Sequence, residues 1–465
     1  MDAFQRELVR RLPLAQATLA LFDYAIDEPF LDGVFQAYRG RCYEDALRFA
    51  SLVQVVRDAL LIHEGSGNKS IGAARDDERV AVHRSSVYRK LGNLPEALSC
   101  ALLREGAARL EQVASIETTV LPPCVASMHV IAIDGKELKK VAKRLKVARP
   151  YTSGSLLGGK LLVALSLQSN LAVAMSCTPE GEANEVPLVP QLVRQVRAMI
   201  PQPVLWVADR QFTDLGLFDL LTQRQDHFLI RCRKGVSFEP DAGRPQIQQQ
   251  DAAGRSVLQE WGWMGKPRNK HRRYVRRITL FREGEEDVVL ATDLLEEQTH
   301  PGLELLELYR RRWGIEQCFQ QITEVFGLCK LIGSTPRAVI FQSAFCLLLY
   351  NLAQIVRSYA AASDNRPVAQ VSTENVFYDV KQELICWSKL GEEPQMPLDV
   401  PRQAPAMRAW LTMLLSGCWQ DRWIKCADKK PRAKKKRKSL PGGHGSLWRL
   451  MCKAKHPHTA LSNVC

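Results

Sequence analysis

Residues 130–136 read V-I-A-I-D-G-K, and residues 204–210 read V-L-W-V-A-D-R. Each is an apolar run that stops at an aspartate, Asp134 in the first and Asp209 in the second. Short apolar runs of this kind read as buried strands. A carboxylate at the end of such a run is costly if buried alone, so it must be exposed, paired or bound to metal. A third acid, Glu316, lies within Y-R-R-R-W-G-I-E-Q-C-F (residues 309–319), which reads as a helix. Two carboxylates at strand ends and one on a later helix can converge on a pair of metal ions, an arrangement suited to in-line displacement at phosphorus. Taken singly, each acid also has a plain structural reading. Asp134 before Gly135 reads as a turn. Asp209 reads as a helix cap or an ion-pair partner, and Glu316 as half of a surface pair with Arg312.

The pattern around these runs predicts an alternation of strands and helices. Strands are expected over 129–134, 161–167 and 171–176, the last two joined by Gln168-Ser169-Asn170. A helix over 188–200, a strand over 203–208, a helix over 214–223 and a strand over 228–232 follow. This order fits the ribonuclease-H-like α/β fold, in which acids cluster at the ends of adjacent central strands. Asp209 and Glu316 stand 107 positions apart, more than that fold needs, so residues about 235–300 read as a β-rich insertion. Before residue 125 the chain reads as helical, with helices over 43–63, 85–91 and 95–110 and a Gly/Ser/Asn-rich loop over 65–71. The pair around Gly92-Asn93 resembles a helix-turn-helix, with Arg84, Arg89 and Lys90 available to phosphate; a plain helical bundle reads equally well. After Glu316 the chain reads as helical to about 361, and again over 406–425.

The expected organisation is therefore a helical N-terminal domain (1–125), expected to bind DNA ends, and a catalytic domain (126–361). A mainly helical region (362–428) and a basic tail (429–465) complete it. At 465 residues more than one domain is expected. Net charge is +14, but it is uneven. Residues 421–465 hold 13 Lys and Arg against 2 Asp and Glu, and eight of the ten residues 429–438 are basic. A near-neutral body with a basic tail suits a polyanion partner. The 13 cysteines are odd in number and unpatterned, which fits reduced thiols in a cytoplasm rather than a disulfide framework. The N-terminus has no apolar signal core, and the apolar stretch at 344–350 is too short to span a bilayer. A cytoplasmic, nucleoid-associated protein without a membrane partner is expected.

Tyr309, Arg312 and Glu316 fall at i, i+3 and i+7, one face of one helix, with Trp313 and Phe319 near enough to pack. Y-x-x-R-x-x-x-E with two upstream aspartates at strand ends resembles the DDE transposases of the IS-four insertion-sequence family, over residues 128–357. The β insertion before the glutamate is similar to that family too. The resemblance implies a triad of Asp134, Asp209 and Glu316 that binds two divalent ions, Mg²⁺ or Mn²⁺. It implies that Tyr309 and Arg312 contact a phosphate of the transposon end. It implies cut-and-paste transposition by a homodimer acting on double-stranded DNA, the terminal inverted repeats and the target. Two positions depart from the pattern. Thr323 stands where a lysine often follows the glutamate by seven residues, with Lys330 the nearest lysine downstream. The strand expected at 287–293 lacks the tryptophan that some members use to hold a flipped base; Trp261 and Trp263 lie earlier.

Three basic segments are expected to track the DNA backbone: 139–149, which includes Lys139 and Lys140; 266–277, which includes Arg272 and Arg273 with Tyr274 interleaved; and the tail. Arg210, beside Asp209, is a further phosphate contact. Such contacts give affinity that falls steeply with salt. The rival readings are a metal-dependent nuclease of the same fold that does not join strands, a DNA-end-binding protein with an inert site, and a chromosomal scaffold protein.

Overall fold

The computed structural model describes residues 7, 11–44, 46–114, 121–139, 141–142, 144–151, 156–389, 400–425 and 445–455. Among the described residues six helices come first: α1 (Pro13–Ile26), α2 (Glu28–Tyr38), α3 (Phe49–Leu61), α4 (Gly67–Asp76), α5 (Arg84–Asn93) and α6 (Glu96–Val113). Asp27 caps α2 by accepting the Phe30 N–H at 3.1 Å, and Pro29 is tolerated in its first turn. The loop expected over 65–71 is instead the start of α4. The Ser66 hydroxyl accepts the Lys69 N–H at 3.3 Å, and Ile71 and Ala74 are buried beneath the helix. A cap and an apolar stripe outweigh the low propensity of Gly67 and Gly72. The helix expected over 43–63 begins only at Phe49, and Tyr43 is exposed.

The centre of the molecule is a ten-stranded sheet in the order β4-β3-β1-β5-β6-β11-β10-β9-β7, with β8 also on β9. The strands are β1 (His129–Glu137), β3 (Lys160–Ser166), β4 (Ala172–Thr178), β5 (Val204–Ala208), β6 (His227–Arg231), β7 (Phe238–Pro240), β8 (Ile247–Gln250), β9 (Ser256–Met264), β10 (Arg273–Leu280) and β11 (Val288–Thr292). A short β2 (Leu156–Leu157) pairs separately with β12 (Gly445–Ser446). Within the ten-stranded sheet β1, β5 and β6 are parallel neighbours and all other pairs are antiparallel, while β2 and β12 pair in parallel. The strands read in 235–300 extend this same sheet, joined through β6 and β11 at Ile230↔Ala291.

Side chains alternate across β1. Val130 and Ala132 enter the larger core, and Ile131 and Ile133 the smaller one. The smaller core lies under α7 (Val189–Arg197) and α8 (Leu215–Leu221). Here Asp226 fixes the start of β5: its carboxylate accepts the Val204 N–H at 2.9 Å and the Trp206 indole N–H at 3.1 Å, and pairs with Arg197. The larger core is organised by a buried 28-residue helix, α11 (Pro336–Ser363), which packs against α6, β4 and α10 (Trp313–Glu324). Asn351 on α11 donates to the Ala172 carbonyl at 2.9 Å and accepts its N–H at 2.8 Å, bonding the backbone where the β3–β4 register shifts. α11 is long and apolar enough to cross a bilayer, but its apolar window is wholly buried within the chain. The helix expected from Glu316 to 361 is interrupted: α10 stops at Glu324, Gly327 takes a positive φ of 82°, and α11 begins after the Thr335 cap.

α12 (Thr373–Ser388), α13 (Ala404–Leu415) and α14 (Leu447–Lys455) complete the chain. The helix expected over 406–425 ends at Leu415, and Gly417 follows with φ 77°. The basic run 429–438 lies outside the described residues. Glu383 on α12 accepts the Ala15 N–H at 2.9 Å, capping the exposed donors of α1. Burial, offset in part by the N–H groups of Ala15 and Leu14, raises its pKa from 4.5 to about 7. An acid raised in the folded state contributes stability that is present below the unfolded value and lost as pH rises through the folded one. We therefore expect Glu383→Gln to match the wild type near pH 4.5 and to melt higher above pH 7, by on the order of 2 °C. Thermal midpoints across that pH window test this; a constant offset would refute it.

Candidate active site

β1 and β5 run side by side, and their last paired residues are Ile133 and Ala208. Asp134 and Asp209 are the next residues of each strand, so parallel register sets the two acids next to each other. Asp134 is not in a turn. β1 continues to Glu137, and Asp134 pairs with Val163 on β3. Its Oδ1 accepts the Gly135 N–H at 2.9 Å, and its side chain is only 15% exposed. Asp209 leaves the strand and caps a short 3₁₀ turn (Arg210–Phe212), its Oδ1 accepting the Gln211 N–H at 2.8 Å.

Glu316 comes from the first turn of α10. Tyr309 lies on the preceding helix, α9 (Gly302–Arg311), and Arg312 is the joint between the two. The single helix expected here is therefore broken. Bonds of 3.1 Å from the Arg312 N–H to the Tyr309 carbonyl and 3.0 Å from the Ile315 N–H to the Arg312 carbonyl tighten the turn. Gly314 faces the β3–β4 hairpin, where an added Cβ would make only ordinary contact with Leu165 and Asn170. Trp313, expected to pack, is 59% exposed, whereas Phe319 is buried.

The Arg312 guanidinium joins the acids. It donates to Asp134 Oδ2 at 3.2 Å and to Glu316 Oε1 at 2.7 Å, and its carbon lies 5.7 Å from the Tyr309 ring centre. Burial opposes its charge, but Tyr309, Asp134 and Glu316 outweigh that and raise its pKa. Burial raises the Tyr309 phenol as well. The Asp134 carboxyl is pushed up to about 6, first by burial, against the pull of Arg312 and with help from the charges of Asp209 and Glu316. All three acids thus share one electrostatic site.

The motif reading missed a fourth carboxylate. Glu185, from the turn before α7, is 9% exposed and lies over Gly135, on the sheet face opposite Asp134. Its Oε1 is 3.7 Å from Lys160 Nζ, while its buried Oε2 has no hydrogen-bond partner. Burial raises its pKa, and the charges of Asp209 and Glu137 add to this against Lys160. No spacing rule reaches a loop acid. The one visible signal was Gly135, whose missing side chain makes room for this carboxylate. A cavity of about 590 Å³ is lined by Asp134, Lys136, Glu185, Asp209, Gln211 and Thr323, among others.

The expected phosphate contacts are mostly held by acids. Arg210 is 3.3 Å from Glu286, and Lys139 is 3.4 Å from Glu137. Arg272 pairs with Glu239 and lies over Trp263, and Arg273 reaches Asp219 at 3.3 Å and Thr222 at 2.6 Å. Within 266–277, Arg276 is fully buried against Gln259 and Glu297, and Arg277 is paired with Glu260, so these two support the sheet rather than track DNA. Lys140 lies outside the described residues.

Carboxylate oxygens are hard donors that suit a divalent cation. Their mutual repulsion, felt at Asp134, favours one. Among the described residues no three His, Cys, Asp or Glu side chains yet point to one centre; the Arg312 guanidinium stands between Asp134 and Glu316. The donor set fits a metal once that guanidinium moves.

Residues 126–352 match the family model described as the transposase DDE domain. The class so defined is a DNA transposase, an enzyme of DNA cleavage and strand transfer, and such enzymes work with divalent metal ions. No curated protein sequence matches the chain significantly. Among solved structures, a piggyBac transposase in a synaptic complex with hairpin DNA is similar at 13% identity, with 85% of each chain covered and a TM-score of 0.36.

Because the Glu185 carboxylate occupies the space of a side chain at 135, Gly135→Ala should destabilise the protein by about 1–3 kcal/mol. Glu185→Ala in the same chain should restore most of that. Denaturant midpoints of the two variants decide it, and an unrescued double variant would count against the packing described.

Proposed function

We propose that Asp134, Asp209 and Glu316 are the metal-binding triad of a cut-and-paste transposase of the IS-four kind, built on a ribonuclease-H-like fold. The observation that supports this is the neighbourhood of the three acids: the β1–β5 register sets Asp134 beside Asp209, and Arg312 ties Asp134 to Glu316. The strand order β4-β3-β1-β5-β6, with three parallel central strands, supports the fold reading. The substrates in this reading are terminal inverted repeats and target DNA. The working form is a homodimer in the cytoplasm, with the N-terminal helices and the basic tail holding the ends.

Two Mg²⁺ or Mn²⁺ ions bound by the triad would supply an activated oxygen nucleophile and stabilise the leaving oxygen. The chain's own residues do the rest. Asp134 must be ionised to hold a cation, and Asp209 and Glu316 would be the other carboxylates to hold it. Arg312, displaced from its two carboxylates, is left with a buried positive charge beside Tyr309 and turns to a DNA phosphate, for which its forked donors are suited. One site serves cleavage and joining, because the two steps differ only in the attacking oxygen.

Glu316→Gln should keep DNA binding and lose cleavage and joining by at least about a hundredfold, and chelation should silence the wild type. Nicking and strand-transfer assays on the DNA flanking this gene, with and without Mg²⁺, test this. An unimpaired variant would sink the assignment. Arg312→Met should separate the two roles of that residue. Metal titration of the DNA-free protein should show tighter Mn²⁺ binding than wild type, since a competing cation is gone, while cleavage falls; weaker Mn²⁺ binding would contradict the displacement.

A further inference from the structure

Lys136 is two residues beyond Asp134 on β1, so it projects from the same face of the sheet. Its ammonium donates to the Phe319 carbonyl at 3.1 Å and lies 5.2 Å from the Phe319 ring centre. Phe319 is on α10, three residues past Glu316. The Thr323 hydroxyl donates to the same carbonyl at 2.7 Å. An ammonium from a strand and a hydroxyl from a helix therefore meet at one acceptor, on the wall of the cavity that also exposes Asp134 and Asp209.

The cations around this cavity differ in one respect. Arg312 is paired with Asp134 and Glu316, Lys139 with Glu137, and Lys160 with Glu137 and Glu185. Lys136 has no carboxylate within ion-pair distance among the described residues. A lysine carries three donors, and a single carbonyl uses one of them. What remains is a partly buried positive charge, with donors left over, on a cavity whose other cation, Lys139, is already paired with Glu137. An anionic oxygen is the missing partner, and in an enzyme of DNA cleavage that oxygen is a backbone phosphate. The Thr323 hydroxyl donates to the same carbonyl and so fixes the acceptor that the ammonium uses.

We infer that Lys136, backed by Thr323, binds a non-bridging oxygen of the DNA phosphate adjacent to the one being cleaved. This rests on the triad reading for which phosphate is the scissile one, and not for the existence of the contact. It also gives the helix position of Thr323 a companion from the strand, so a cation stands at this place although residue 323 is not one.

The test is a chemical double-substitution. Duplexes copied from the DNA flanking this gene are made with one neutral methylphosphonate at each position in turn. Their affinities for the full chain are measured in Ca²⁺ for wild type, Lys136→Met and Lys136→Arg, with thermal midpoints as a folding control. We expect Lys136→Met to weaken binding roughly 10- to 100-fold, and Lys136→Arg to recover most of the loss. At one phosphate the methylphosphonate should weaken the wild type by a similar factor and leave Lys136→Met unchanged. If the two losses multiply at every position, or if Lys136→Met binds as wild type does, the contact does not exist. Glu316→Gln in the same cleavage assay reports on the triad separately: a fully active Glu316→Gln with the Lys136 pattern intact overturns the adjacency to the scissile phosphate and not the contact.

Discussion

Three carboxylates cannot share a partly buried site without a cation, and in this molecule Arg312 is that cation. Its guanidinium spans from a strand to a helix, reaching Asp134 at 3.2 Å and Glu316 at 2.7 Å. Breaking a buried ion pair by removing one member leaves an uncompensated charge and is strongly unfavourable. The surrounding structure follows from this need. The helix breaks at Arg312 so that its side chain can lie under Tyr309. The site is thus assembled around a placeholder charge.

The sheet transmits that arrangement over a long distance. β6 is the last of the parallel strands and also the partner of β11, the last strand of the segment between Asp209 and Glu316. The chain leaves the parallel core through β6, builds β7 to β10 outward, and returns through β11 before α9 begins. The position of Glu316 is therefore anchored on one side by β11 and on the other by α11. Ion pairs inside this segment, Arg276 with Glu297 and Arg277 with Glu260, stiffen it.

What could be read in the chain was what local pattern controls. The apolar runs of β1 and β5, the β3–β4 hairpin and the strands of 235–300 appear close to where periodicity put them. Asp134 and Asp209 could be picked out because acids that end apolar runs are unusual, and Glu316 by its spacing from Tyr309 and Arg312. Features set by non-local packing could not. Nothing in residues 309–319 announces a break at Arg312, since all of them favour a helix apart from Gly314. Glu185 sits in a turn with no motif and matters only because β1 passes beneath it. The basic stretches 139–149 and 266–277 looked alike as strings, yet Arg276 is buried and Lys139 is exposed, because what covers a side chain is set by distant parts of the chain. The 28-residue core helix falls within the helical reading after Glu316, but its start at Pro336 was not legible, because it is apolar on every side and gives no periodic signal.

That buried helix has a consequence for how the protein is made. α6 ends at Val113, and its main helical partner, α11, begins at Pro336. On a ribosome moving at about 5–20 residues per second, the first helices wait roughly ten to forty-five seconds for the surface they are meant to cover. During that interval their apolar faces have only one another. The acids of β1 and β5 are synthesised early, but Glu316 and the helix that seats it come late, so no nascent chain holds a finished site. A truncated product would carry Asp134 and Asp209 without a core to hold them in register, and would be a client for chaperones and proteases before it could touch DNA.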